Sequence, residues 1–140
     1  MRDIIRLSEA ASLGLHALVL LAKPGTGRLT VKEMAEQMGA SPAHLSKVVQ
    51  QLSRLGFVRS KSGPGGGVEL QRPPGEISLL QVYEALEGPY RVGGCPLGRE
   101  VCPFRGCIFG GLFSRVQEQV TDFLEHTTLG DFWGDEKGDM

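Results

Sequence analysis

The chain has 140 residues, of which 41% are apolar and 22% charged, values typical of one soluble globular domain rather than of a disordered or fibrous protein. Its net charge of −1 is divided unevenly: residues 1–75 contain ten Lys and Arg against five Asp and Glu, hence +5, and residues 76–140 contain five against eleven, hence −6. This asymmetry predicts that only the basic first part faces a polyanion.

The N-terminal segment lacks the features of an export signal or a membrane anchor. A short apolar run at residues 17–22 is preceded by charged residues, and no small-residue cleavage site follows it. The three cysteines are an odd number within thirteen residues, which argues against a disulfide framework in a chain without an export signal. We therefore expect a cytoplasmic protein with reduced thiols and no membrane partner.

The first predicted element is one long helix, because apolar residues recur at helical spacing over Ile4–Ala22. The Pro24-Gly25 pair ends this pattern. A second, shorter helix is predicted from Thr30 through about Met38. Its N-terminus has the signature of a capping box, since Glu33 follows Thr30 by three positions.

A third helix is predicted after a tight turn at Gly39. Ser41 is its expected N-cap, and Pro42 occupies the first helical position, where the missing N–H is not needed. Gly56 closes the helix. Its apolar stripe consists of Leu45, Val48, Val49, Leu52 and Leu55. Two helices joined by a short connection after a first helix are typical of a helix-turn-helix unit, here at about 31–55.

A basic β-hairpin is predicted after this unit, at about residues 57–71. Residues 57–61 have the character of a strand, residues 63–67 form a glycine-rich turn, and residues 68–70 form the returning strand. A helix-turn-helix followed by a basic hairpin, or wing, is a winged-helix arrangement. We assign residues 1–75 to this DNA-binding part.

The second part, residues 76–140, is predicted to contain a short helix capped by Ser78, a cysteine loop at about 88–107 and a long helix at about 107–126. The long helix has a wide apolar face, so we expect it to pair with a second copy in a homodimer. Three apolar residues of the tail are predicted to pack back onto the domain: Leu129, Phe132 and Trp133. The expected fold class is mainly α, with a small β-hairpin wing and a long C-terminal dimerisation helix, in a single domain.

The candidate DNA-contacting residues lie in the third helix and the wing. Short polar and basic side chains at an exposed helix start can reach base edges and phosphates in a major groove. Basic strand residues beside a slim glycine turn suit phosphates or a minor groove. The candidates are Ser41, His44, Ser46 and Lys47 in the helix, and Arg59, Lys61, Ser62, Gly65 and Gly66 in the wing. The alternatives are a solvated helix face and an ordinary hairpin with basic edges.

The cysteines, Cys95, Cys102 and Cys107, are candidate metal ligands. Three thiolates can bind zinc or an iron–sulfur cluster, both of which normally have four protein ligands. The Cys-x6-Cys-x4-Cys spacing lacks the Cys-x2-Cys pairs of structural zinc sites. Neighbouring glycines leave backbone N–H groups free to hydrogen-bond sulfur. We therefore predict an iron–sulfur cluster, [2Fe-2S] or [4Fe-4S], with zinc and redox-active or buried thiols as alternatives.

Nearly the whole chain resembles the Rrf2 family of bacterial winged-helix regulators, whose members include iron–sulfur biogenesis and nitric-oxide-sensing repressors. The resemblance is carried by the segments LGLHALVLLA, SPAHLSKVVQQLSRLGFVRS, SGPGGGVEL and TTLGDF, together with three cysteines beyond the wing. It implies a homodimer crossed through the long helix that binds a palindromic operator in double-stranded DNA. It also implies a cluster near the dimer interface that alters operator affinity.

The resemblance narrows the search for a fourth ligand. The histidine ligand of the biogenesis branch corresponds to Gly110, which cannot bind a metal, and cluster-binding members usually have five residues between successive cysteines. Other members use the first helix, where Ser12 replaces a common carboxylate and His16 matches a histidine of a redox-sensing subgroup. Glu9 lies on the same helix face. As the fourth ligand we favour His16, from the opposite subunit, over Glu9. The alternative interpretation of His16 is a structural histidine between packed helices.

We predict a sequence-specific transcription regulator, acting as a repressor, that senses redox state, nitric oxide or iron–sulfur status. Two cluster states would differ in DNA affinity. An enzyme is not expected, because no catalytic triad, paired catalytic carboxylates or nucleotide loop can be assembled. The alternatives are a cluster-free thiol switch, a regulator controlled by a partner enzyme, and an electron-transfer or cluster-carrier protein.

Overall fold

The computed structural model describes residues 3–89, 95, 97 and 102–133, and these form a mainly helical fold with one antiparallel hairpin. The helices are α1 Glu9–Leu21, α2 Val31–Met38, α3 Pro42–Arg54, α4 Leu79–Glu87 and α5 Leu112–His126. The strands are β1 Val58–Lys61 and β2 Gly67–Leu70, and short 3-10 helices cover Pro74–Glu76 and Leu129–Phe132. The expected mainly α fold with a small β-hairpin wing and a long C-terminal helix is confirmed. No helix in the described ranges is long and apolar enough to cross a membrane.

Three helices begin where local sequence signals predict. The Ser41 hydroxyl accepts a hydrogen bond from the His44 backbone N–H at the start of α3. Thr30 and Glu33 form the expected capping box of α2, and Ser78 makes a similar box at α4. Each cap satisfies backbone donors that the first helical turn leaves unpaired and contributes about 1 kcal/mol.

Two helices begin later than predicted, at α1 and α5. Ser8 is extended and its hydroxyl accepts a hydrogen bond from the Ala11 N–H, so α1 starts at Glu9 rather than Ile4. Helix α5 starts at Leu112 rather than near 107, because Gly110 and Gly111 have φ of 61° and 76°, a left-handed conformation that cannot continue a right-handed helix. Cys107 therefore lies in a turn before α5.

The core is formed where α1, α2, α3 and α4 meet. Gly14 of α1 allows this close packing, since a Cβ there would lie 2.5 Å from Leu86 Cδ1 on α4. The fully buried large side chains are Leu18, Met34, Leu45, Leu52, Val58, Ile77, Val82 and Leu129. The tail packs back as predicted, because Leu129 is buried and Trp133 Nε1 donates to the Val19 carbonyl at 2.6 Å. Phe132 stays 37% exposed.

The wing consists of three adjacent backbone segments rather than two. Strands β1 and β2 pair antiparallel, with Arg59 opposite Glu69. The segment before α2 lies along β2, because the Leu29 N–H donates to the Val68 carbonyl at 3.0 Å and the Val68 N–H donates to the Leu29 carbonyl at 2.7 Å. Sequence pattern did not predict this third segment, which is only a single bridge long.

His126, at the end of α5, is expected to titrate above its usual pKa. Its Nδ1 lies 2.8 Å from the Asp122 carbonyl oxygen and 3.3 Å from the Asp122 carboxylate. The hydrogen bond to the carbonyl raises the His126 pKa most, and the negative charge of the Asp122 carboxylate raises it further. Because the pKa of His126 is higher in the folded than in the unfolded protein, its protonated ring stabilises the fold. This stabilisation is complete below the unfolded pKa and is lost as pH rises through the folded pKa.

Asp122→Asn should therefore move the His126 pKa down towards its usual value, as measured by NMR titration of the ring protons. The carbonyl hydrogen bond remains in this variant, so part of the upward shift should persist. An unchanged His126 pKa would show that the carboxylate does not act on the imidazole.

Candidate DNA-binding and cysteine sites

The predicted DNA-contacting residues of α3 lie in its first turns. His44 and Lys47 are three positions apart and exposed, so they lie on the same side of the helix. Ser46 is partly buried, and the Ser41 hydroxyl caps the helix. The structure therefore presents a histidine and a lysine at the helix start, with Ser41 in a structural role as well.

His44 is paired with a residue of another helix. Its Nδ1 lies 3.1 Å from Oε1 of Glu9, and the two side chains are 58% and 69% exposed. The contact joins the start of α3 to the start of α1 and occupies the carboxylate that was the alternative metal ligand. Sequence reasoning missed the pair because the residues are 35 positions apart and no local pattern connects them.

The predicted wing residues lie on the hairpin as expected. Arg59, Lys61, Ser62 and Gly65 are exposed. Gly66 is partly buried and admits no side chain, because a Cβ there would lie 2.2 Å from the Lys61 carbonyl oxygen. The glycine turn is therefore required for the close reversal of the chain.

Glu69 on β2 contacts two arginines. Arg59 Nε donates to its Oε1 at 2.7 Å, and Arg28 Nε lies 3.4 Å from its Oε2. The hydrogen bond from Arg59, aided by the charges of both arginines, holds the pKa of Glu69 below its usual value. Arg28 and Glu69 were not among the predicted site residues, because the bridge at Leu29 that brings Arg28 to the wing has no sequence signature.

The three cysteines are all exposed, but the structure does not assemble them into one ligand set. Within residues 3–89, 95, 97 and 102–133, no three His, Cys, Asp or Glu side chains lie together in a way that could hold a metal ion. Much of the predicted cysteine loop, residues 90–94, 96 and 98–101, lies outside the described residues.

Cys107 lies in a turn that favours its thiolate. Backbone hydrogen bonds from Gly111, Phe109 and Gly110 lower its pKa, because N–H donors stabilise negative charge on sulfur. Arg115 Nη1 donates to the Gly110 carbonyl at 2.8 Å, which holds the turn against α5. These amide donors are of the kind that stabilise an isolated thiolate or a sulfur bound to iron.

His16 is exposed on α1 and has one ring nitrogen engaged. Its Nδ1 lies 2.6 Å from the Ser12 carbonyl oxygen, which can only accept a hydrogen bond, so Nδ1 is the donor and Nε2 lies outside this contact. His16 lines a cavity of about 510 Å³ with Ser12 and Trp133. Cys95 lines a different cavity, of about 580 Å³, between the N-terminal segment, α4 and α5. Within this chain, His16 and Cys95 therefore line separate cavities.

Helix α5 and the turn before it expose several large apolar side chains. Leu124 is the one buried residue of α5 in this single chain. The exposed apolar residues are Ile108, Phe109, Leu112, Val120 and Phe123. An isolated soluble chain rarely exposes so many large apolar residues in one short stretch.

Known proteins are similar to this chain in sequence and fold. The sequence model of the Rrf2 family, described as an iron-dependent transcriptional regulator, matches residues 7–135. The chain is similar to CymR, the global cysteine regulator of B. subtilis, at 28% identity, 92% coverage of this chain and 96% of that chain, with a TM-score of 0.73. It is also similar to T. potens IscR, at 25% identity, 92% coverage of this chain and 86% of that chain, with a TM-score of 0.71. A third similar structure is the oxidized form of Staphylococcus aureus CymR, at 29% identity, 97% coverage of this chain and 100% of that chain, with a TM-score of 0.70.

Proposed function

This chain belongs to the Rrf2 family of transcriptional regulators, and from that premise we propose that it binds a palindromic operator as a homodimer and represses transcription under the control of its cysteines. Family membership makes it a DNA-binding regulator and not an enzyme. The observation that carries the more specific proposal is the position of three exposed cysteines between the wing and the apolar helix α5. From this position, a chemical change at the cysteines can alter both the proposed dimer interface and the proposed DNA-binding part.

The proposed dimer partner is a second copy of the chain, with α5 at the interface. The exposed apolar residues of α5 give a reason for association, because each buried large side chain contributes about 1.5–3 kcal/mol. A two-fold dimer carries two copies of α3, which matches the two half-sites of a palindromic operator.

We propose that Cys95, Cys102 and Cys107 hold an iron–sulfur cluster, [2Fe-2S] or [4Fe-4S]. The donor chemistry fits, since all three thiols are exposed and the turn at Cys107 already favours a thiolate. When bound there, such a cluster would supply one-electron redox chemistry and sensitivity to oxidants and nitric oxide. Binding or loss of the cluster would rearrange the loop before α5. This change would shift the population between dimer conformations that differ in DNA affinity.

His16 is the proposed fourth ligand, donated from the opposite subunit, and Glu9 is the alternative. The contact of Nδ1 with the Ser12 carbonyl leaves Nε2 for a metal, which is the usual arrangement of a ligating histidine. Glu9 is occupied by His44, so recruiting it would break a contact with the DNA-reading helix. The geometry of each side chain therefore favours His16.

A thiol switch without a cluster is the second candidate function. Cys107 is exposed and its pKa is lowered, and thiolates are the form that oxidants attack. One similar structure is the oxidized form of a CymR protein. In this mechanism, oxidation of a cysteine before α5 replaces the change in cluster state.

Anaerobic purification with iron and acid-labile sulfide analysis tests the two mechanisms. A cluster protein should be coloured and contain both elements, and Cys107→Ser should lose them. His16→Ala should destabilise the cluster, whereas Glu9→Ala, on the same helix, should leave its spectrum unchanged. A colourless protein that stays free of iron after attempted reconstitution, yet loses DNA affinity on peroxide treatment, would establish the thiol switch instead.

A further inference from the structure

Three charged side chains form a row across the outward face of the wing. Val58 and Val68 are buried, so the alternate residues Arg59 and Glu69, which lie opposite each other, point away from the core. Leu29 bridges Val68 in antiparallel fashion, which brings Arg28 beside Glu69 on the other edge of β2. The row is therefore Arg28, Glu69 and Arg59, on three neighbouring segments.

One carboxylate holds both guanidinium groups, each through a different oxygen. Arg59 Nε is 2.7 Å from Oε1 and Arg28 Nε is 3.4 Å from Oε2. Because Arg59 uses its Nε, the two terminal amino groups of this guanidinium lie outside the contact, and the side chain is 67% exposed. Arg28 Nη1 also lies 3.4 Å from the Gly65 carbonyl in the wing turn. The row carries a net positive charge in a defined geometry.

We propose that Arg28 is a DNA-contacting residue, and that Glu69 positions Arg28 and Arg59 so that their guanidinium groups bind the phosphate backbone of duplex DNA. This inference rests on the proposed DNA-binding role of the wing. Guanidinium groups bind phosphate oxygens through paired N–H donors. Holding the two side chains beforehand reduces the rotamer freedom that is lost on binding.

Glu69 is suited to this positioning role. Its side chain is only 23% exposed, and the Arg59 hydrogen bond keeps its pKa low, so it remains an anion at neutral pH. Gly67 also allows the segment before α2 to lie close to β2, because a Cβ at Gly67 would lie 2.9 Å from the Leu29 carbonyl oxygen. Glycine at this position lets Arg28 come close to β2.

The sign of one substitution separates positioning from simple charge. Glu69→Gln removes a negative charge beside a polyanion, so charge alone would tighten DNA binding. If Glu69 positions the arginines, the variant should instead bind mixed-sequence duplex DNA about 3-fold more weakly. The charge-matched control is Glu84→Gln, an exposed site on α4, a helix that packs against α1 and α5. Its affinity should not fall.

Arg28 is tested by the salt dependence of the same binding measurement. Arg28→Ala should reduce the slope of log affinity against log salt by about 0.9, the value for one lost phosphate contact. Arg28→Lys should keep the slope, because the positive charge remains. It should lose part of the affinity, because lysine lacks the planar pair of N–H donors of a guanidinium group. Slopes measured on folded protein do not move when a substitution only lowers stability.

Tighter binding by Glu69→Gln, or an unchanged slope for Arg28→Ala, would overturn this inference. Arg59→Ala identifies which proposal has failed. If Arg59→Ala lowers the slope and Arg28→Ala does not, the wing binds DNA without Arg28. If neither variant changes it, neither arginine contacts a phosphate, and the proposed DNA-binding role of Arg59 fails as well.

Discussion

Replacing Lys47 and Arg59 together by alanine is expected to weaken binding to duplex DNA by roughly 100-fold, about tenfold for each lost charge-assisted contact. Lys47 is exposed near the start of α3 and Arg59 is exposed on the wing, so the two lie on separate elements of the predicted interface. Because both side chains are exposed and neither belongs to the core, the loss should come from DNA contacts rather than from unfolding.

Fluorescence anisotropy at several salt concentrations measures this effect, and the slope of log affinity against log salt should fall by about 1.8 for two lost phosphate contacts. Lys23→Ala is the control, because Lys23 contacts the Trp133 ring at the end of α1 and is not predicted to meet DNA. Wild-type affinity and slope in the double variant would show that α3 and the wing are not the DNA-binding surface.

Leu52→Ala is expected to lower the free energy of unfolding by about 3 kcal/mol, within the range of about 2–5 kcal/mol for such truncations. Leu52 is 0% exposed and belongs to the core cluster that joins α3 to α1 and α2. The cost combines lost apolar burial with a cavity that well-packed neighbours fill only partly. Against a typical total of about 5–15 kcal/mol, the loss is large.

Urea denaturation at a fixed protein concentration measures this change, since the apparent stability of a dimer depends on concentration. Gln50→Ala is the matched control on the same helix, because Gln50 is exposed and its truncation should change stability by less than about 0.5 kcal/mol. Equal effects of the two substitutions would contradict the packing of α3 described above.

The starts of α2, α3 and α4 could be predicted because capping is local. Thr30, Ser41 and Ser78 each bond to a backbone donor within three positions, so the signal and the structure lie in the same few residues. The starts of α1 and α5 were predicted wrongly, since periodicity extends past Ser8 and across Gly110-Gly111. Local backbone conformation at those residues outweighs an apolar pattern.

The candidate site residues were found by residue type, and their partners were not. His44, Arg59 and the three cysteines are recognisable from their chemistry and their place between predicted elements. Glu9 beside His44 and Arg28 beside Glu69 depend on how distant segments meet. The thiolate-favouring turn at Cys107 likewise depends on backbone conformation that spacing between cysteines does not reveal.

The sequence by itself determined the order of helices and strands, the winged-helix class and the resemblance to the Rrf2 family, because caps, glycine turns and apolar periodicity act over a few residues. Only the tertiary structure decided which charges pair on the wing and how the segment before α2 joins it. Those contacts join residues up to 41 positions apart, as in Arg28 and Glu69, and arise when packing of the core brings separate segments together.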